Sequence, residues 1–443
     1  MGAEPADPAG PLPDALWRQL QAATALALEA GTETAPWWRL AELYGQAELL
    51  APADHRLAAN RGEALWLADA PEPALVAYRR AALLAPRDPV VLRGLGNVHC
   101  DRNAFEAAER AYRLSQALAA DPVTAWNHSQ LLIGLERYAE GYALAECRWQ
   151  LPGPTPWRGR DGAWQGEAGG WREPLLVWSE QGLGDTIQHL RWLGPLLARR
   201  ERGAPPLRLE VEAPLVGLLQ ATLEREARRH HWPAPLVLAK GEQGPEPWSG
   251  WQASLLSLPL LLGGAPLPDQ AFWLDLPARP GGRAPLRVGL VWAAGRKLEQ
   301  PVTAREYRRR SLDPAALGLL IEGLARLGVA CELLQFGADR AQAQPWHALV
   351  AGELPADADF LATAESVAGL DLVISVDTAM AHLVGAMRRP GWVLLPASAA
   401  PRWLRQRHDT PWYPSLRLFR QPRGGDWAAV VGQVLAAMQA GSV

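Results

Sequence analysis

Two short stretches carry residues of the right type and spacing for group-transfer chemistry. The first runs Glu180-Gln-Gly-Leu-Gly-Asp185, and the second runs Asp371-Leu-Val-Ile-Ser-Val-Asp377-Thr378-Ala-Met-Ala-His382. The five residues ending at Val376 are apolar or small and rich in branched side chains, which reads as a buried strand of a parallel sheet. A helix follows at once. Asp377 and Thr378 then sit where open α/β sheets bind ligands, beside a helix N-terminus whose unpaired N–H groups suit a nucleotide diphosphate. Asp185 calls for different chemistry, because a negative charge in the Gly182-x-Gly184 turn repels a pyrophosphate. A carboxylate projecting there is suited to take the proton of an attacking hydroxyl. The same Asp185, with Gln188 three residues on, also fits a capping box, and an N-cap at an active-site edge could do both. Gly182-x-Gly184 opens a dinucleotide fingerprint, and Glu210 and Glu212 stand where its ribose-binding acid belongs. Ile187 in the third glycine position argues against an NAD-dependent oxidoreductase.

The elements that must position these residues alternate strand and helix. A strand after Pro174, the glycine turn, a helix from Thr186 and a strand Leu207 to Val211 form one βαβ unit. Leu286 to Trp292 begins a second series. A polar, basic loop follows it, holding Arg296 and Lys297 and then Arg305 to Ser311, again at a strand's carboxyl end; a solvated face is the plainer reading of that charge. Asp313 caps a helix opened by Pro314 and stopped by Gly328. Strand Ala330 to Phe336, a short helix near Thr363 to Ala368, strand Trp392 to Leu395 and a helix Trp427 to Gln439 capped by Asp426 complete a second doubly wound sheet. The Pro- and Gly-rich run Pro277 to Pro285 marks the boundary between lobes. His189, His230 and His231 read as satisfied side chains, not ligands.

Upstream lies a repeat. Tyr44, Tyr78 and Tyr112 are spaced by 34, and residues 40–54 lie on residues 74–88 at the same offset, with Pro after each. That period, with small residues at helix contacts, resembles the tetratricopeptide repeat: helical hairpins that stack because none buries its apolar face alone. About three repeats fall between Ala35 and Trp149. The array either presents a concave surface to a protein partner or packs against its neighbour. The chain therefore divides into a helical segment 1–34, repeats 35–150, a linker 151–172 pinned by Trp157, Trp164 and Trp171, a first lobe 173–280 and a second lobe 281–443.

Composition excludes several function classes. A net charge of −3 and a pI near 6.3 give no footprint for nucleic acid or anionic lipid. The N-terminal residues lack the basic and apolar parts of a signal peptide, and the most apolar stretch, Leu255 to Leu262, is interrupted by Pro259 and too short to span a membrane, so a cytoplasmic protein is expected. Cys100, Cys147 and Cys331 are too dispersed for a disulfide framework or a zinc site.

Two consecutive βα lobes with these two turns resemble the GT-B glycosyltransferases. More narrowly, the chain is similar to bacterial tetratricopeptide-repeat proteins whose C-terminal domain is like the ADP-heptose heptosyltransferases of glycosyltransferase family 9. The likeness covers about residues 40 to 440 and rests on Glu180-Gln-Gly-Leu-Gly-Asp-Thr-Ile, Arg287-Val-Gly-Leu-Val-Trp-Ala, Ser375-Val-Asp-Thr-Ala-Met-Ala-His, and Trp412-Tyr-Pro-Ser with Leu416-Arg-Leu-Phe-Arg-Gln. It implies an inverting glycosyltransferase with a nucleotide-sugar donor as substrate, no cofactor and no metal. Asp185 matches the general base. Lys297, Arg310 and Ser311 match sugar and diphosphate contacts, and Asp377, Thr378, Ala379 and His382 match the donor-binding turn. Gly182, Gly184 and Gln188 belong to the acceptor-side turn. The family turn commonly reads Asp-Thr-Gly, whereas Ala379 and Ala381 stand here, so the sugar and base are left open. The acceptor is a hydroxyl of a protein, peptide or glycan. Asp185 and Thr378 are expected on facing walls of one gap. The rival reading is a non-catalytic repeat scaffold with a degenerate GT-B domain.

Overall fold

The computed structural model describes residues 12–152, 157–167, 171–201, 203–242, 244–265, 268–274, 276, 285–405 and 407–441. The expected interlobe boundary at Pro277 to Pro285 lies, but for Pro285, outside the described residues, as do 1–11 of the N-terminal segment and 153–156 and 168–170 of the linker.

The chain opens with helices α1 (Asp14–Leu28), α2 (Ala35–Leu50), α3 (His55–Leu67), α4 (Pro71–Leu84), α5 (Pro89–Asp101), α6 (Phe105–Leu118), α7 (Pro122–Gly134) and α8 (Tyr138–Ala145). Local signals start them. Asp54, Asp88 and Asp121 each accept backbone N–H bonds at the head of α3, α5 and α7, and Pro89 and Pro122 occupy the first helical position. Successive helices pack as hairpins, and the period of 34 has a steric origin. Tyr78 and Tyr112 are buried over glycines of α5, where a Cβ at Gly94 would lie 2.2 Å from the Tyr78 ring and one at Gly96 would lie 2.3 Å from the Tyr112 ring. Gly94→Ala is expected to destabilise the chain by roughly 1–3 kcal/mol through overpacking. The check is a urea midpoint that falls while the slope holds.

Two parallel sheets follow. The first contains β1 (Leu175–Trp178), β2 (Arg208–Val211), β3 (Leu236–Ala239) and β4 (Trp251–Ser254) in the order β3-β2-β1-β4, with α9 (Leu183–His189), α10 (Leu193–Ala198), α11 (Val216–His230) and α12 (Leu258–Leu261). The second contains β5 (Arg287–Val291), β6 (Ala330–Leu333), β7 (Val350–Glu353), β8 (Leu372–Val376), β9 (Gly391–Leu395) and β10 (Leu416–Arg420) in the order β10-β9-β8-β5-β6-β7. Its helices are α13 (Pro301–Arg310), α14 (Pro314–Arg326), α15 (Phe360–Ala368), α16 (Ala379–Ala386) and α17 (Trp427–Gln439). Every strand pair is parallel. Every residue of β1 and β8 is buried, as a sheet covered on both faces requires. The fold is a TPR-like helical array followed by two Rossmann-like lobes. Strand order reverses between β1 and β4 in one lobe and between β5 and β8 in the other, so each crevice opens at the carboxyl ends of those strands.

The basic stretch Arg305 to Ser311 corrects the sequence reading. It is a helix, α13, with Ser311 at its C-cap, and Arg305, Arg308 and Arg309 turn toward the array. Arg305 is 2% exposed and pairs with Asp69 and Asp101 of the array, Arg308 with Asp69, and Arg309 with Asp101. The other lobe is tied to the array through Arg148, which donates to Glu180 at 2.7 and 2.9 Å. Glu180, the first residue of the glycine-turn motif, thus docks the array. Trp157 and Arg158 donate to Glu210, and Ser179, Thr186 and Lys240 donate to Glu212, so both candidate ribose acids are internal counter-charges. Among the described residues no helix is long and apolar enough to cross a membrane.

Candidate functional site

The second lobe builds one wall from three loops. Thr378 is the N-cap of α16, and its Oγ1 accepts the Met380 N–H at 3.1 Å. After β5, Gln335 Oε1 accepts the N–H groups of Trp292 and Ala293, and Ser311 Oγ accepts that of Ala294 at 3.1 Å. These bonds fold the Ala293 to Arg296 loop back from the α16 N-terminus. A cavity of about 460 Å³ opens between them, lined by Thr378, Ala379, Met380, Phe336, Phe360 and Arg296 and closed by Leu183 and Pro214 of the first lobe. Its size lies within the range of about 300–1,000 Å³ typical of small-molecule sites.

The first lobe meets this wall at its own helix N-terminus. Helix α9 begins at Leu183, three residues earlier than the sequence predicts, with Gly182 as N-cap. Asp185 is therefore in the first turn, no side chain caps the helix, and the Asp185–Gln188 capping box does not form. Gly184 has a specific reason to be glycine: a Cβ there would sit 3.1 Å from His382 Cδ2 and 3.4 Å from Ala379 Cα. The two helix N-termini touch at that point.

Asp185 projects to the far side of this contact. Its Oδ1 accepts from Arg402 Nη2 at 2.8 Å, and its side chain is 22% exposed. Burial pushes the carboxyl up, but the Arg402 guanidinium outweighs it and holds the group below the usual carboxylate range. It lines a chamber of about 100 Å³ with Gln181, Gln188 and His189, roofed by Trp126, Gln130 and Tyr142 of the array and by Pro401 and Arg402 of the second lobe. Three parts of the chain share that chamber.

Asp185 and Thr378 thus line adjoining cavities divided by the Gly184 contact, not the single gap that the sequence predicts. The loop after β5 comes near Asp185 at Gly182, where a Cβ would lie 3.8 Å from Lys297 Nζ and 3.9 Å from Asp185 Oδ2. Lys297, exposed on the β5 loop, reaches across to the first lobe. Other candidates stand further back. Asp377 is buried and faces Arg310, whose Nη1 lies 3.4 Å from its carbonyl and 3.7 Å from Oδ2. Ser311 spends its hydroxyl on the Ala294 N–H. His382 is enclosed by Tyr413, Trp403 and Arg402 instead of facing the larger cavity. Burial first, then Arg402, keeps its pKa well below the ordinary value, so the ring is neutral. Arg402 itself escaped the sequence reading, because it lies in an Ala-Pro-Arg-Trp loop with no helical or strand period. Among the described residues no group of three or more His, Cys, Asp or Glu side chains is placed to hold a metal ion.

No family model matches the chain. Protein FlbA of Caulobacter vibrioides is 28% identical over 386 residues, which is 78% of this chain and 59% of that protein. The chain spans less than two thirds of that relative's length. Among solved structures, E. coli ADP-heptose lps heptosyltransferase II is 13% identical, covering 60% of this chain and 98% of its own with a TM-score of 0.41. Thermobaculum terrenum O-GlcNAc transferase is 14% identical, covering 88% of this chain and 84% of its own with a TM-score of 0.30.

Proposed function

We propose that the chain is a cytoplasmic, inverting, metal-independent glycosyltransferase of the GT-B kind, moving a sugar from a nucleotide diphosphate to an acceptor hydroxyl. One observation carries this reading: a helix N-terminus at the strand-order reversal of one lobe opens a nucleotide-sized cavity, and a carboxylate of the other lobe stands just beyond it over a much smaller chamber. The diphosphate binds at the head of α16, its charge met by main-chain N–H groups and by Lys297. The sugar enters at Gly182, and the contact of Gly184 with Ala379 parts to admit it. The acceptor hydroxyl comes from the array side, gives its proton to Asp185, and bonds to the anomeric carbon as the carbon–phosphate oxygen bond breaks on the opposite face. The leaving electron pair stays on the nucleotide diphosphate. With three walls and about 100 Å³, the chamber fits a side-chain hydroxyl of a protein or peptide laid along the array better than a branched glycan. Exclusion of water by the array and both lobes makes transfer outrun hydrolysis.

A thermal-shift screen across nucleotide sugars tests the donor half, followed by calorimetry on the hit. Lys297→Ala and Thr378→Ala are each expected to weaken donor binding about tenfold, or 1.4 kcal/mol. Undiminished affinity in both variants would remove the site from α16, and no binding of any nucleotide sugar would return the chain to the scaffold reading.

A further inference from the structure

Asp185 is held by a chain of side chains that begins in the core of the other lobe. Tyr413 is buried, and Gly385 makes room for its ring, since a Cβ there would lie 2.4 Å from it. Its hydroxyl lies 3.0 Å from His382 Nδ1, and the His382 ring stacks on Trp403 with centroids 5.2 Å apart and planes 18° off parallel. His382 Nε2 lies 3.2 Å from Arg402 Nη1, while Arg402 Nη2 reaches Asp185 Oδ1. A guanidinium has five donors and no acceptor, so the imidazole must turn a lone pair from Nε2 toward it. That assigns the proton to Nδ1, donating to Tyr413. The arginine fork is then fixed at one tine by a neutral histidine and offers the other to the carboxylate.

We infer that Arg402, set by His382 and Tyr413, is the positioning residue for Asp185, holding it ionised with Oδ2 open to the acceptor only while the two lobes are closed. This rests on the proposed role of Asp185 as base. The lobe dependence follows from the fold, because Asp185 is on α9 of the first lobe whereas Arg402, His382 and Tyr413 all belong to the second. Of the carboxylate's two oxygens, Oδ1 is taken by Arg402, and Oδ2 points toward Gly182 and Lys297, where the donor sugar would lie. An open cleft would leave Asp185 without its cation and in the wrong place. The base is thereby assembled by closure, which limits wasteful activation of water. The charged and titratable groups around Asp185 are His189 on its own helix, His382 on α16, Arg402 after β9, Tyr413 before β10, Lys297 after β5, and Tyr142 and Arg148 across the chamber. Of these, Arg402 alone is shown in direct ion-pair contact with its carboxylate.

The test needs no substrate. In the full chain labelled with ¹³C at aspartate carboxyls, Asp185 is assigned by its disappearance in Asp185→Asn and titrated. Arg402→Gln removes the charge and leaves burial unopposed, so the Asp185 titration is expected to rise by about one to three pH units. Arg402→Lys keeps a charge but cannot fork between two partners, and an intermediate position is expected. Where a transfer assay is in hand, the acid limb of kcat/KM moves upward with the same order of variants, a shift that a merely structural arginine would not produce. An Asp185 titration unmoved in Arg402→Gln, or in Arg402→Lys should the first variant not fold, overturns the assignment. A shifted titration in a protein that binds no nucleotide sugar upholds the hold of Arg402 on Asp185 and overturns the transferase reading instead.

Discussion

Asp185→Ala is expected to lower the rate of sugar transfer by at least 10²- to 10⁴-fold, the usual contribution of a positioned general base, with donor affinity unchanged. The split follows from where the residue stands. Asp185 lines the smaller chamber and is absent from the lining of the larger one, so deleting its carboxylate leaves the α16 N-terminus, Lys297 and the apolar walls of the donor cavity as they are. Folding should also survive, because its partner Arg402 is 27% exposed and keeps its contact with His382. Asp185→Asn sharpens the result: the amide oxygen still accepts from Arg402, while no proton can be taken. If the role were only to hold the two lobes together, asparagine would rescue the alanine variant. If it is base catalysis, both variants fail alike. Single-turnover transfer with donor calorimetry on the same preparations decides it, and wild-type turnover in either variant removes Asp185 from the chemistry.

Local signals made much of this legible in the sequence. The run Leu372–Val376 is a strand buried throughout, and Ala379 opens the following helix as its pattern predicts. Asp313 and Asp426 accept the expected N–H bonds at the heads of α14 and α17, since a cap needs only residues two or three places away. What was not legible depends on distant partners. Helix α13 is rich in arginine and reads as a solvated loop until Asp69 and Asp101 are brought to it from more than 200 positions upstream. Gly184 reads as a turn glycine, yet its neighbours are Ala379 and His382 of the other lobe. The edge strands β7 and β10 carry charged residues, and β3, though apolar, has only four residues and is half exposed, so none shows the buried apolar run that marks β5 and β8. Arg402 acquires its role only through contacts with Asp185 and His382, which no spacing within its own loop encodes.

Asp101→Ala should be among the most destabilising single changes in the chain, at about 3–5 kcal/mol, because it strands a buried cation. Arg305 lies with its guanidinium 4.2 Å over Trp66, donates to the Trp66 carbonyl at 2.7 Å, and reaches Asp101 at 2.6 Å. Asp101 also accepts from Arg309 at 2.9 Å and from Trp66 Nε1 at 2.7 Å. Its neighbour Asp69 is a poorer substitute: it lies 3.0 Å from Arg305 Nε, its bonds to Arg308 are 3.2 and 3.3 Å, and burial outweighs the nearby arginines and raises its carboxyl pKa. For Asp101 burial also pushes upward, but Arg305 and Arg309 prevail and bring it down to about 2. An acid depressed in the folded state stabilises fully above its unfolded value, near 3.9, and that stability is lost as pH falls toward 2. Acid unfolding should therefore steepen in this window for the wild type and flatten for Asp101→Asn. A double change to apolar residues, Asp101→Leu with Arg305→Met, should recover part of the loss, since it removes the Arg305 charge while Arg309 keeps Glu306 at 3.5 Å. The same ion pairs hold the array against α13, and the array supplies Trp126 and Tyr142 to the chamber of Asp185. At temperatures where Asp101→Ala remains folded, donor binding is thus expected to persist while the KM for acceptor rises. A chain as stable as the wild type in chemical denaturation would show that these arginines do not fasten the array.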